Sequence, residues 1–417
     1  MESLHDPRFG ACGNTIHLPG PPEIMSSDIH AAHHHEFELV HSGPTHRIGK
    51  HFGKVYPPAS HRYVRTAILV LLTWLPVMVL AYVSSHLTGT QIGVSLLRDP
   101  EVHCRLLLAL PILSLAEALI SVSLAAQVRH LFESGIIPPS EHANFIRTKA
   151  EVIRIRESFK IEALFGISAL AISLLIKLYF FDELASTWER QGSTITPAGW
   201  WYMLVSLPVL FFYLLRAAGI FLLWGWFLFR VSRMDLQLTS THPDHAGGLG
   251  FMGWGLACFS PVLFCLSTVV SAGFAYEIFH KGESLDSLKY HLIVYALVVL
   301  VIMHLPLLSY CMRLSRCRFS GLLEFSALVW RYDREFDEKW IKQPQAQNSD
   351  EFLGSADMQS LADIATAYEH ADEMWLMPLD IKALTVLAVA TLLPMVPLVG
   401  TTIPLTEILS KLGELLV

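Results

Sequence analysis

Charge is scarce in this 417-residue chain: Asp, Glu, Lys and Arg make up 16% of it, against 53% hydrophobic residues. A water-soluble fold of this length cannot be covered so thinly. The mean hydropathy of +0.44 is also unevenly spread, falling in blocks of about 20 residues or more, the length that crosses roughly 30 Å of hydrocarbon. Several signatures are missing. There is no apolar core behind a basic start in the first sixty residues, so no cleavable signal peptide is expected. Cys12, Cys104, Cys258, Cys265, Cys311 and Cys317 form no CxxC pair, which argues against a disulfide framework and a zinc knuckle. GK[ST], GxSxG and HExxH are absent, which argues against a Walker loop and the commonest nucleophile and zinc-protease sites. The net charge of −7 describes exposed loops and points to no nucleic-acid partner.

What is present is a set of seven apolar runs, near 64–86, 104–127, 161–181, 201–229, 251–279, 290–312 and 381–401. Lys and Arg gather on the cytoplasmic side of membrane proteins, and here they alternate with the runs. Arg47, Lys50, Lys54, Arg62 and Arg65 precede the first run. Arg129, Arg147, Lys149, Arg154 and Arg156 follow the second, Arg230 and Arg233 the fourth, and a long basic stretch from Arg313 to Lys342 the sixth. The other connections are poorer in positive charge. The expected fold is therefore all-α, a polytopic transmembrane helix bundle of about seven spans with a cytoplasmic N-terminus and an external C-terminus. Trp188, Trp200, Trp201 and Tyr202 suit an outer aromatic belt.

The expected organisation has four parts. Residues 1–60 are a polar, His-rich tail of disordered character. Residues 61–312 form a six-span bundle with a helical cytoplasmic connection at 128–160. Residues 313–380 form a cytoplasmic helical module, in which Met358, Leu361, Ile364 and Tyr368 recur at helical spacing. Residues 381–417 form a last span and an interfacial tail. In that last part Pro394, Pro397 and Pro404 break the apolar run, because each removes a backbone donor. Such a break reads either as a gate or as a plain helix stop.

Residues 238–255, LTSTHPDHAGGLGFMGWG, are the densest in chemistry. Gly248, Gly250 and Gly253 fit GxGxxG, but apolar runs flank them, whereas a dinucleotide loop follows a strand. His242, Asp244 and His245 offer imidazole and carboxylate donors to a divalent metal, with a further donor available from His30, His33, His34, His35 or His41. The competing reading makes Asp244 a helix cap and the glycines close-packing points. Ionisable residues inside membranes are costly and mark either function or a structural bridge. Glu117 lies near the middle of the second run and Arg216 near the middle of the fourth, so the two are expected to pair. His304, just before Pro306, is a third intramembrane polar candidate.

At THPDHAGGLGF, SADMQSLADIATAYE and LLPMVPLVGTTIPLTEIL the chain resembles a family of bacterial inner-membrane proteins of unassigned activity. Its members carry an HPD-x-AGGLGF-like turn, an IQSLAD-like cytoplasmic helix and a proline-rich ending. The resemblance covers most of residues 60–417. It implies one membrane domain in the bacterial inner membrane and carries over no catalytic residue or cofactor. Three roles stay open on the sequence: a channel- or permease-like transporter, which it favours; a signalling or scaffold protein whose 313–380 helices meet a cytoplasmic partner; and a metal-dependent membrane enzyme at the HPDH turn. The lipid bilayer is the one obligatory partner, and a homo-oligomer suits the first role.

Overall fold

The computed structural model describes residues 60–179, 188–191, 194–342 and 356–399. The His-rich tail, Pro404 and the interfacial tail beyond it lie outside the described residues. Helices dominate, and seven of them are long and apolar enough to cross a membrane. The seven are α1 (Ser60–Thr88), α2 (Pro100–Glu133), α4 (Phe159–Tyr179), α5 (Pro197–Ser232), α6 (Gly250–Phe279), α7 (Leu285–Ile341) and α9 (Ile381–Leu398); between them lie the shorter, more polar α3 (His142–Arg156) and α8 (Ala356–Asp372). The chain is thus an all-α, multi-pass integral membrane protein. A two-residue hairpin, β1 (Arg190–Gln191) with β2 (Thr194–Ile195), links α4 to α5.

Helix lengths fix where the membrane sits. α2 and α5 contain 34 and 36 residues, so each is about 50 Å long, against a hydrocarbon core of about 30 Å. The surplus lies on the arginine-rich side. There α3 packs along the inner end of α5, with Phe145 and Val152 buried in one core with Trp224, Phe227 and Val231. The other face of α3 leaves Arg147 and Arg154 exposed, followed by Glu157 and Lys160 at the start of α4. Those charges need water or headgroups, so the hydrocarbon ends near Lys160.

The aromatic belt read from the sequence is only partly a belt. Trp200 is exposed, but Trp188 and Tyr202 are fully buried. The Trp188 indole donates to Asp99 at 2.7 Å, and its ring meets Tyr202 edge-on. The two rings seal the outer end of the bundle, together with Leu96, Val102 and Leu106.

Prolines break more spans than the last. Pro111 and Pro208 follow π-helical turns at Cys104–Ala109 and Tyr202–Ser206. Pro261 follows a 3-10 turn, and Pro306 and Pro394 sit within others. Backbone carbonyls at these breaks find partners on adjacent spans, as buried backbone must. Ser173 donates to Met203 at 2.7 Å, Cys265 to Ala109 at 3.3 Å and Ser271 to Pro394 at 2.6 Å. The break at Pro394 and Pro397 is one case of a device used throughout the bundle.

Beyond its apolar first half α7 continues as an amphipathic helix, and α8 folds back along it. Asp357 in the first turn of α8 accepts from Lys339 and from the Trp340 indole, and these bonds hold its carboxyl below the ordinary range. Arg318 pairs with Asp372 at the other end. Leu361 and Ile364 turn toward α7, but Met358 and Tyr368 are on the exposed side, so the inward line is shifted from the spacing read in the sequence.

Glycines set the closest approaches. A Cβ on Gly255 would stand 2.0 Å from the Gln127 side-chain oxygen, whereas one on Gly273 would meet nothing within 4 Å. Gly255→Ala is expected to cost about 1–3 kcal/mol by overpacking, read as a lower Tm in detergent. Adding Gln127→Ala restores most of the loss, and Gly273→Ala leaves Tm unchanged.

Candidate functional site

Of the six buried charged side chains among the described residues, four gather at one point, and Asp99 and Glu189 lie apart from them. Arg216 on α5 lies 2.6 Å from Glu117 on α2 and 3.1 Å from Glu162 on α4. Arg216 and Glu117 are 3% and 2% exposed. Arg156, the last residue of α3, is buried beside them; burial first, and then the Arg216 guanidinium, push it down to about 10. Two arginines and two glutamates give a neutral set, which is how charge is tolerated away from water. Sequence spacing brings up Glu117 and Arg216 but misses Arg156, which lies in the charged connection expected at 128–160, and Glu162, which falls at the very start of the third apolar run.

The cluster's position along each helix follows from the helix bounds. Arg216 lies about 29 Å along α5 from its outer end, and Glu117 about 26 Å along α2. Glu162 is one helical turn inside the inner end of α4. All three meet within about one turn of the end of α4 that carries the exposed Lys160, although Glu117 and Arg216 lie near the middle of the longer α2 and α5. His304 is a separate feature, its ring Nδ1 2.8 Å from the carbonyl of Leu300 one turn earlier.

The HPDH turn folds around Asp244. Its carboxylate accepts from the backbone N–H groups of Ala246 at 2.9 Å, Gly248 at 3.1 Å and Gly250 at 2.8 Å, so it caps the start of α6. Half-burial raises the Asp244 pKa, but these donors and His242 outweigh it and hold the carboxyl below its ordinary value. His242 Nδ1 lies 2.7 Å from Asp244. Gly247 and Gly248 take positive φ, at 65° and 93°, which only glycine adopts freely. Further on, Gly253 lets the backbone at Pro378 and Asp380 approach closely.

The structure does not hold His242, Asp244 and His245 as one donor set. His242 and Asp244 face each other, while His245, itself at φ 51°, joins His370 and Glu373 at the end of α8. One donor atom from each of these three lies within 4.8 Å of the others. Nothing near His245 in sequence announces the two partners. Beside the turn, a cleft of about 500 Å³ opens between residues 236–241 and α7, lined by Thr239, Ser240, Thr241, Arg316, Ser320 and Glu324 among others. Arg313 at its edge donates to the last carbonyls of α5, Ser232 and Arg233.

Comparison with protein-family models, curated proteins and solved structures finds no match for the chain.

Two outcomes follow from the geometry. Arg216→Leu leaves two carboxylates buried beside Arg156 and is expected to destabilise the fold by about 3–5 kcal/mol; adding Glu117→Gln alone leaves Arg156 and Glu162 as a neutral pair and recovers most of it, as read by Tm and by yield of monodisperse protein. Asp244→Ala is expected to cost about 1–2 kcal/mol at pH 7. A depressed folded pKa stabilises above the unfolded value and loses that stabilisation as pH falls. The Tm gap between wild type and Asp244→Ala should therefore shrink below about pH 4.

Proposed function

We propose that this protein is a scaffold or signalling protein of the bacterial inner membrane, in the family its turn, helix and ending resemble, and that it works through the cytoplasmic half of α7 as a self-associating pair. One observation carries the reading. Met312, Phe319, Leu323 and Trp330 are exposed by 65%, 66%, 58% and 65%. On an α-helix they fall within about 20° of a single line running about 27 Å. The other side of the same helix, at Leu314 and Gly321, is buried. An apolar line at the 3.6-residue period of a straight helix, on a helix that already has one partner, is what a second helix recognises. Every copy in a membrane carries α7 with the same direction and at the same height, so two such lines meet in parallel and in register. A second copy of this chain is the occupant that needs no further adjustment.

The transport reading draws on intramembrane charge and a proline-broken last span. The charge is a dry, neutral cluster at the membrane's inner edge, and the Pro394 carbonyl is tied to Ser271, so packing accounts for both. The enzyme reading asks Asp244 for a ligand role, and its oxygens are already engaged by backbone donors.

Size-exclusion chromatography with light scattering should give a dimer for the wild type and a monomer of unchanged Tm for Phe319→Ser/Trp330→Ser. In native membranes, Leu323→Cys should cross-link to its own copy under mild oxidation while the parent chain does not. A wild-type monomer together with no Leu323→Cys cross-link contradicts the proposal.

A further inference from the structure

We propose that His245, His370 and Glu373 form a binding site for one divalent metal ion of the zinc class, which fastens the end of α8 to the turn joining α5 and α6. The proposal is independent of whether two copies associate through α7.

Convergence is the first argument. His370 and Glu373 are three residues apart at the end of α8, where Glu373 continues the helical hydrogen bonding by donating to Glu369 at 2.8 Å, so both project to the same side. His245 reaches them from more than a hundred residues away. The two imidazole rings sit 5.5 Å apart, tilted by 47°, and His245 Nδ1 is 3.8 Å from a Glu373 carboxylate oxygen. Ligands on a tetrahedral zinc at about 2.0–2.1 Å lie about 3.3 Å from one another. Donors already within 4.8 Å need only a small side-chain adjustment, and Glu373, 68% exposed, is free to make it.

The second argument is unmet bonding. Nδ1 of His245 and Nδ1 of His370 are both shielded from solvent, and neither has a hydrogen-bond partner among the described residues. A shielded polar atom left unsatisfied costs about 1–3 kcal/mol, and here two neighbouring rings each carry one. The third argument is strain. His245 is the one non-glycine residue with positive φ among the described residues. Such conformations persist where the surroundings over-determine them, and the His245 carbonyl is indeed held by the Trp375 N–H at 2.7 Å. The strained backbone turns the ring away from His242 and toward α8.

Two tilted histidine rings in contact beside a surface acid can also be mere packing. That reading explains the contact, but it leaves both shielded nitrogens and the strain without an offset. Two imidazoles with one carboxylate match the borderline-soft character of Zn²⁺. A fourth position would fall on the exposed side, beside Glu373, where water can enter. His242 and Asp244 would act only as support, by fixing the turn.

The test uses the full-length chain in lipid nanodiscs, with His30, His33, His34, His35 and His41 replaced by Asn so that the tail contributes no binding. After chelator treatment the protein is titrated with Zn²⁺ by calorimetry and with Co²⁺ by visible absorption. One equivalent of each is expected, with the intense Co²⁺ bands of a tetrahedral site. His370→Ala should weaken binding by more than about 100-fold, the upper range for losing a supporting residue alone. Glu373→Gln alters a largely exposed side chain with no cost to folding, and should weaken binding by about 10-fold or more and change the Co²⁺ spectrum. No saturable binding in the tail-substituted chain overturns the proposal. So does binding that Glu373→Gln and His370→Ala both leave unchanged.

Discussion

The contact of Arg216 with Glu117 and Glu162 ties three membrane helices at a single level. Arg156 brings in a fourth element from the cytoplasmic side. A guanidinium can serve two carboxylates because its donors spread over a planar fork. An opened cluster would leave charge in a dry site at a cost of several kcal/mol, so α2, α4 and α5 have one admissible register. The rest of the architecture is arranged around that constraint. Above the cluster the spans are apolar and bound by proline-linked side-chain contacts. Below it the same helices run on as the frame of a cytoplasmic layer.

That layer gives the molecule its character. α3 lines the inner end of α5, Asp244 fixes the start of α6, and α8 is latched to α7 by Asp357 and Asp372. α2, α5 and α7 each run on from their apolar spans into this layer. A change in helix packing at one level therefore has a direct mechanical path to the other. A scaffold with a self-associating rod and a metal clasp suits such a frame.

Much of this was legible in the sequence. Seven runs of the right length, bounded by alternating arginine, specify the threading, because the bilayer imposes length and the charge rule imposes direction. Glu117 and Arg216 stand out because ionised groups are rare in apolar runs. Their depth did not follow, since nothing in the string tells where a 36-residue helix leaves the membrane. Arg156 was hidden for the opposite reason: it sits in a connection rich in charge, where one more base carries no signal, and Glu162, at the edge of an apolar run, reads as the boundary of that run. The turn at 238–255 was readable as a cap with packing glycines. The partners of His245 depend on α8 folding back along α7, a tertiary event that no local pattern announces. Trp188 and Tyr202 matched the composition of a belt but are held inward by Asp99 and by each other.

The most direct measurement is a cryo-EM reconstruction in lipid nanodiscs that resolves both leaflets of the bilayer around the helices. The account predicts that the inner edge of the hydrocarbon lies level with Arg216 and Lys160, with residues 217–232 of α5 flanked by α3 beneath it. Bilayer density centred on Arg216, with α3 submerged in it, would place the charge cluster at the midplane and contradict the account.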